Sequence, residues 1–152
     1  MAPKDNLRPI EILLVEDNPA DVRLTQEGFK QLKVINNLHI VRDGDEALEF
    51  VFQRERYSAA PRPDIVLLDL NLPGTSGNEV LSIIKNSETH SAIPVVVLTS
   101  SESESDIAQS YSHHANCFIT KPVSFSGFVD IVKRIDDFWF SIVRLPGSQL
   151  PN

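Results

Sequence analysis

Hydrophobic positions along the chain fall into two kinds of run. Short, mostly apolar stretches occur at 10–15, 38–41, 65–68, 95–98 and 116–119, and between them apolar residues recur every three or four positions. A strand buried on both faces reads as a continuous aliphatic run, because helices cover both sides of a parallel sheet. The run IVLL at 65–68 follows Pro63, ends on Asp69, and is succeeded by Pro73, Gly74 and Gly77, which turn the chain. The pattern predicts a buried central strand with a carboxylate at its carboxyl end.

Helical spacing fills the gaps. Asn18 and Pro19 occupy N-cap and first-turn positions of a helix expected to reach Leu32, with an apolar stripe through Val22, Leu24, Phe29 and Leu32. After the turn Arg42, Asp43, Gly44, a second helix carries Ala47, Leu48, Val51 and Phe52, and 54–62 reads as loop. A third, 78–86, carries Val80, Leu81, Ile83 and Ile84. The acid-rich stretch 102–106 suits the first turn of a fourth, ending near His113, since a helix dipole favours negative charge there. Ser124 caps a last helix running to about Val143. Five strand–helix alternations with short connections and no internal repeat predict an α/β, flavodoxin-like (βα)5 three-layer sandwich with parallel sheet order 2-1-3-4-5.

Length and charge narrow the picture. At 152 residues and 41% hydrophobic content, the chain is expected to build one core. Residues 1–9 read as a flexible lead-in, 10–143 as the domain and 144–152 as a tail, with no output domain. A net charge of −7 argues against a nucleic-acid footprint or an anionic membrane surface. No apolar run approaches the roughly 20 residues of a membrane span and the first eight residues lack a signal-peptide core, so a cytoplasmic location is expected. The single cysteine, Cys117, excludes an internal disulfide, and its neighbours Phe118 and Ile119 point to a packed thiol.

Ligands of such folds bind outside the carboxyl ends of the strands. There the sequence offers Glu16 and Asp17 after the first strand, Asp69 after the third, Thr99 after the fourth and Lys121 after the fifth. Singly, each has a plain alternative as a capping or turn residue. Because the first and third strands are neighbours in this sheet order, three carboxylates would crowd one rim and repel unless a cation sits among them. All-oxygen ligation with open positions suits Mg²⁺.

These residues resemble the receiver domains of two-component response regulators. The likeness runs through ILLVEDNPAD, DIVLLDLNLPGTSG, PVVVLTS and CFITKP. Within that family the chain looks most like the small stand-alone regulators that serve cyanobacterial phytochromes, on the strength of RDGDEALEF, the loop ending PRPD, and DFWFSIVRLP. The resemblance implies that Asp69 accepts a phosphoryl group from a phosphohistidine on a sensor histidine kinase, here a phytochrome. It implies Mg²⁺ held directly by Asp17, through water by Glu16, and by Asp69 and the backbone carbonyl of Asn71. Lys121 would neutralise phosphoryl charge, Thr99 would bond a phosphoryl oxygen, and Pro122 would form a cis peptide that aims Lys121 inward. Thr99 and Phe118 would form the switch, although many members carry tyrosine where Phe118 stands, and simple core packing is the other reading of that ring. The protein is then no enzyme beyond its own phosphorylation and dephosphorylation.

In the last helix, Phe128, Val132, Ile135, Trp139 and Ile142 form one stripe, and Phe138, Phe140 and Val143 fall off it. Exposed aromatics mark association surfaces, so a homodimer built on that helix is expected, with packing of the tail on its own domain as the alternative. Output is expected through contact with an unknown downstream protein. Three other readings compete. A haloacid dehalogenase-type phosphohydrolase needs a second acid two residues after its nucleophile, where Asn71 stands. A flavodoxin-like cofactor binder needs a Gly- or Ser/Thr-rich phosphate cradle, where the first loop is acidic. A receiver-shaped scaffold without phosphate chemistry would not need the full residue set.

Overall fold

A computed structural model describes residues 9–30, 36–99 and 117–120. Strands β1 (Ile10–Val15), β2 (Asn36–Val41), β3 (Ile65–Asp69), β4 (Val95–Thr99) and β5 (Cys117–Thr120) form one parallel sheet in the order β2-β1-β3-β4-β5. The expected flavodoxin-like sheet is the observed one. Because side chains alternate along a strand, each strand supplies both faces. On one face Ile12, Leu14, Ile65, Leu67, Val96 and Leu98 pack with Val22 and Phe29 of helix α1 (Pro19–Lys30). On the other, Leu13, Val15, Val66, Leu68, Val95 and Val97 lie under α2 (Gly44–Val51) and α3 (Gly77–Lys85), which bring Phe50, Val51, Leu81 and Ile84. Among the described residues, no helix is long and apolar enough to cross a membrane.

The caps follow from local chemistry. Asn18 Oδ1 accepts the amides of Ala20 at 2.9 Å and Asp21 at 3.2 Å, which starts α1 as expected. Asp43 accepts the Glu46 amide at 2.7 Å to start α2, and Ser76 accepts that of Glu79 at 3.2 Å to start α3. At the end of α3, Lys85 Nζ donates to the carbonyls of Ser91 and Ile93, and burial pushes its ammonium down from the usual lysine range.

Several boundaries differ from the sequence reading, each for a physical reason. β2 starts at Asn36 rather than Leu38, since main-chain pairing with β1 needs no apolar side chain, and Asn37 adds a bond to Glu11 at 3.1 Å. β3, β4 and β5 each run one residue further, through Asp69, Thr99 and Thr120, because the ladder continues past the apolar run. α3 spans Gly77–Lys85, with Asn86 as its C-cap. Leu24 does not join the α1 stripe: it is 48% exposed, and Thr25 and Gly28 face inward, with the Thr25 hydroxyl donating to Asp21 O. Ile83 is likewise 40% exposed. The expected end of α1 at Leu32 lies outside the described residues, as do the two later helices.

Residues 54–62 contain a 3-10 turn, Glu55–Tyr57, that simple loop chemistry did not announce. Tyr57 holds it in place: its ring meets Phe50 at 5.1 Å and its hydroxyl donates to Glu46 Oε2. Burial and that carboxylate push the Tyr57 phenol up to about 12.

Leu81→Ala removes a fully buried side chain and should cost about 2–5 kcal/mol in chemical denaturation. Leu24→Ala should stay within about 0.5 kcal/mol of the parent, since that side chain lies half in water. Tyr57 should ionise near pH 12 by absorbance at the phenolate band, in a Tyr111→Phe background that removes the other tyrosine, and Glu46→Gln should bring the midpoint down. The folded pKa is raised, so the stability this bond contributes is fully present below about pH 10 and is lost as pH rises towards about 12.

Candidate functional site

Register decides which side chains meet at the sheet's carboxyl edge. Val15 pairs with Leu68, and Leu98 pairs with both Asp69 and Ile119, so Glu16 and Asp69 leave their strands on the same rung. Alternation carries both to the α1 side: Leu14 and Leu67 belong to that cluster, while Val15, Leu68 and Leu70 belong to the opposite one. The Glu16 amide still donates to Val41 O at 3.0 Å, so the chain stays extended through this residue before Asn18 starts the helix.

The three acids predicted from the sequence converge. One carboxylate oxygen from each of Glu16, Asp17 and Asp69 lies within 4.8 Å of the other two. Glu16 and Asp69 are buried and Asp17 is exposed, so the group has a closed floor and an open mouth. Two backbone amides orient the buried pair: Asn18 N donates to Glu16 Oε2 at 3.1 Å, and Asn71 N donates to Asp69 Oδ1 at 3.0 Å. Two unit charges at such a separation repel by roughly 3 kcal/mol at an effective dielectric of about 20. A hard divalent cation removes that repulsion, and a set of oxygens with a solvent-facing side fits Mg²⁺, which keeps several of its waters.

The loop after β3 completes the site and is built by close backbone approach. Gly77 N donates to Leu70 O at 3.3 Å, and a Cβ on Gly77 would meet Asp69 O at 2.5 Å. Only glycine lets α3 start this near the strand it follows. The same loop touches the start of α2, where Gly44 N donates to Pro73 O at 3.4 Å and the Thr75 hydroxyl donates to Asp45 Oδ1 at 2.5 Å. Sequence reasoning missed Gly44, Asp45 and Thr75. Their signal was available as a glycine and an acid opening the helix after β2, together with a second Gly-rich turn after β3.

Thr99 ends β4 one residue past the Asp69 rung and pairs with Thr120, and Phe118 pairs with Val97 in β5. Their backbone places them on the two strands that continue the sheet beyond Asp69. Lys121, Pro122, Phe138, Phe140 and Val143 lie outside the described residues.

A family model described as the response regulator receiver domain matches residues 12–133. The chain is 45% identical over 140 residues to response regulator Rcp1 of Synechocystis sp., a match covering 92% of this chain and 95% of that protein. Two solved structures resemble it over 95% of its length and 100% of theirs. One is the phosphorylated cyanobacterial phytochrome response regulator RcpA, with a TM-score of 0.78 and 46% identity. The other is the Mn(2+)-bound form of Rcp1, with a TM-score of 0.77 and 43% identity. Similarity at this level along nearly the whole length leaves the fold and the relationship without a competing explanation, and the chain belongs to the response regulator receiver domain family.

Proposed function

We propose that this protein is a response regulator of a two-component phosphorelay, phosphorylated on Asp69 by a sensor histidine kinase of the phytochrome type. The observation that carries the reading is the convergence of Glu16, Asp17 and Asp69 at the sheet's carboxyl edge. Similarity to a phosphorylated phytochrome response regulator and to a Mn(2+)-bound one supports both the chemistry and the kinase class.

In the proposed step, an Asp69 carboxylate oxygen attacks the phosphorus of a phosphohistidine. The new O–P bond forms as the N–P bond breaks, and the imidazole leaves with the electron pair and takes up a proton. Attack by water on the aspartyl phosphate returns free Asp69 and inorganic phosphate. Such transfers rely on positioning and charge neutralisation more than on covalent chemistry from the protein. Asp17 would hold Mg²⁺ directly and Glu16 through water, with Asp69 and the Asn71 carbonyl as further ligands. When bound, Mg²⁺ supplies positive charge against the phosphoryl oxygens. Lys121 would add an ammonium, Thr99 would give a hydroxyl to one phosphoryl oxygen, and a cis peptide at Pro122 would aim Lys121 inward.

Phosphorylation adds close to two negative charges where Asp69 had one. Thr99 then moves towards the new group and Phe118 into the space it leaves, which changes the surface offered to a downstream protein. The domain, 10–143, acts in the cytoplasm and pairs with a second copy through Phe138, Phe140 and Val143.

Acetyl phosphate with Mg²⁺ should add one phosphoryl group, read by intact mass spectrometry. Asp69→Ala should abolish the addition, and Asp17→Asn should slow it and weaken Mg²⁺ binding in calorimetric titration. Retention of the added mass in Asp69→Ala would overturn the assignment. For the pair of copies, light scattering on dilution should report a dimer at micromolar concentration, and Phe138→Ala with Phe140→Ala should give a monomer.

A further inference from the structure

The loop 70–76 leaves Asp69, carries Asn71, and is fastened at two places. At its base, the Gly77 amide closes on Leu70 O, and the Gly77 backbone lies against Asp69 and Leu70 with no room for a side chain. At its tip, the first turn of α2 holds it from the side. A Cβ on Gly44 would stand 1.9 Å from Thr75 O, so the two backbones are in contact there. Asp45 straddles the tip: Oδ1 accepts the Thr75 hydroxyl, and Oδ2 lies 3.0 Å from where a Cβ on Gly74 would stand. Gly74 has φ +73, a left-handed turn that glycine adopts without strain. Asp45 is exposed and is not one of the three converging carboxylates.

The loop fastened in this way carries Asn71, whose amide donates to Asp69 Oδ1. A loop free at its tip would sample conformers in which this amide and the carbonyl of the same residue point elsewhere. An ion that needs one of those conformers then binds more weakly by the fraction of time the loop spends in it. Helix α2 contributes no residue to the acid cluster. Its first turn meets the loop that carries Asn71.

We propose that Asp45, by holding Thr75, is a positioning residue for the phosphoacceptor site: it fixes loop 70–76 so that Asn71 keeps its amide on Asp69 and its carbonyl directed to a bound divalent cation. The proposal rests on the Mg²⁺ reading given above. A second role for Asp45 has to be separated from this one, because an acid in the first turn of a helix also stabilises that helix through its charge.

The discriminating experiment is calorimetric titration of the full chain with Mg²⁺, alongside denaturation of each variant in chelator to give its folded fraction. Asp45→Ala and Thr75→Val should each weaken Mg²⁺ binding per folded molecule by about three- to tenfold, the range of one hydrogen bond. The double variant should bind no worse than either single one, because both remove the same contact. Asp45→Asn keeps the accepting oxygen and loses the charge, and should bind within about twofold of the parent. Affinity unchanged in Asp45→Ala, or a loss that disappears once folded fraction is counted, overturns the proposal. So does an Asp45→Asn variant as weak as Asp45→Ala, which would make the effect one of charge. A parent chain that binds no Mg²⁺, or binds it as well after Asp17→Asn, overturns the metal reading itself, a result that Asp45 variants alone cannot produce.

Discussion

The pairing of β1 with β3 is the constraint on which the rest depends. Val15 opposite Leu68 sets Glu16 level with Asp69, and a slip of one residue would send one carboxylate to the α1 side and the other to the α2 side. Nothing about the acids themselves enforces this. They repel, and left alone they would separate. What enforces it is that β1 and β3 are buried on both faces: Leu14 and Leu67 are committed to one cluster, and Leu13, Val15, Val66 and Leu68 to the other. A slipped register would send each set into the opposite cluster, whose shape it does not match, at about 1–3 kcal/mol for each misfitted side chain. The hydrophobic interior therefore holds like charges together at its edge, and the apolar pattern of two strands sets the chemistry of the rim.

Two kinds of contact then refine that rim. The buried carboxylates are aimed by amides from the residues that follow them, Asn18 for Glu16 and Asn71 for Asp69. Each of these amides is held by a turn: Asn18 because it caps α1, Asn71 because its loop is closed at Gly77 and pinned near Thr75. The local sequence after each strand thus uses the same residues twice, to end the strand and to orient the acid at its tip. Asp17 differs. It is exposed, which leaves it free to adjust to an ion arriving from water.

The sheet order, the strand cores and the three acids were legible in the sequence because each rests on a strong, short-range signal. Unbroken runs such as IVLL and VVVL have few other uses in a soluble chain, and Asn-Pro after the first run announces a helix start. Strand ends were less legible. The ladder runs on through Asp69 and Thr99, where polarity suggested a stop, because main-chain bonding is indifferent to the side chain. The α1 stripe misplaced Leu24 because it weighed hydrophobicity over helical spacing: Val22, Thr25 and Phe29 recur at three and four residues on the buried face, and Leu24, two residues after Val22, falls off it. The Tyr57 turn and the contact between α2 and the β3–α3 loop were invisible, since both join segments whose meeting depends on the finished fold. Gly44 and Gly77 could be recognised as turn residues, but the backbone each one touches could not be named without the third dimension.

That contact also gives the site a direction. On the α2 side, the loop after Asp69 is held by backbone lying against backbone, with glycine at Gly44 because nothing larger fits. On the other side, Asp69 adjoins β4 through the Leu98 rung, and β4 ends at Thr99 beside Thr120 of β5. A group added to Asp69, on the α1 side of the sheet, has the fastened loop on one flank and the end of β4 on the other. Packed elements respond to a new charge by moving where motion costs least. On the reading proposed above, this explains why the switch residues, Thr99 and Phe118, belong to the β4–β5 half of the sheet. On the same reading, the contacts at Gly44, Thr75 and Gly77 hold Asn71 in place while the phosphoryl group arrives, and the rearrangement falls to β4 and β5.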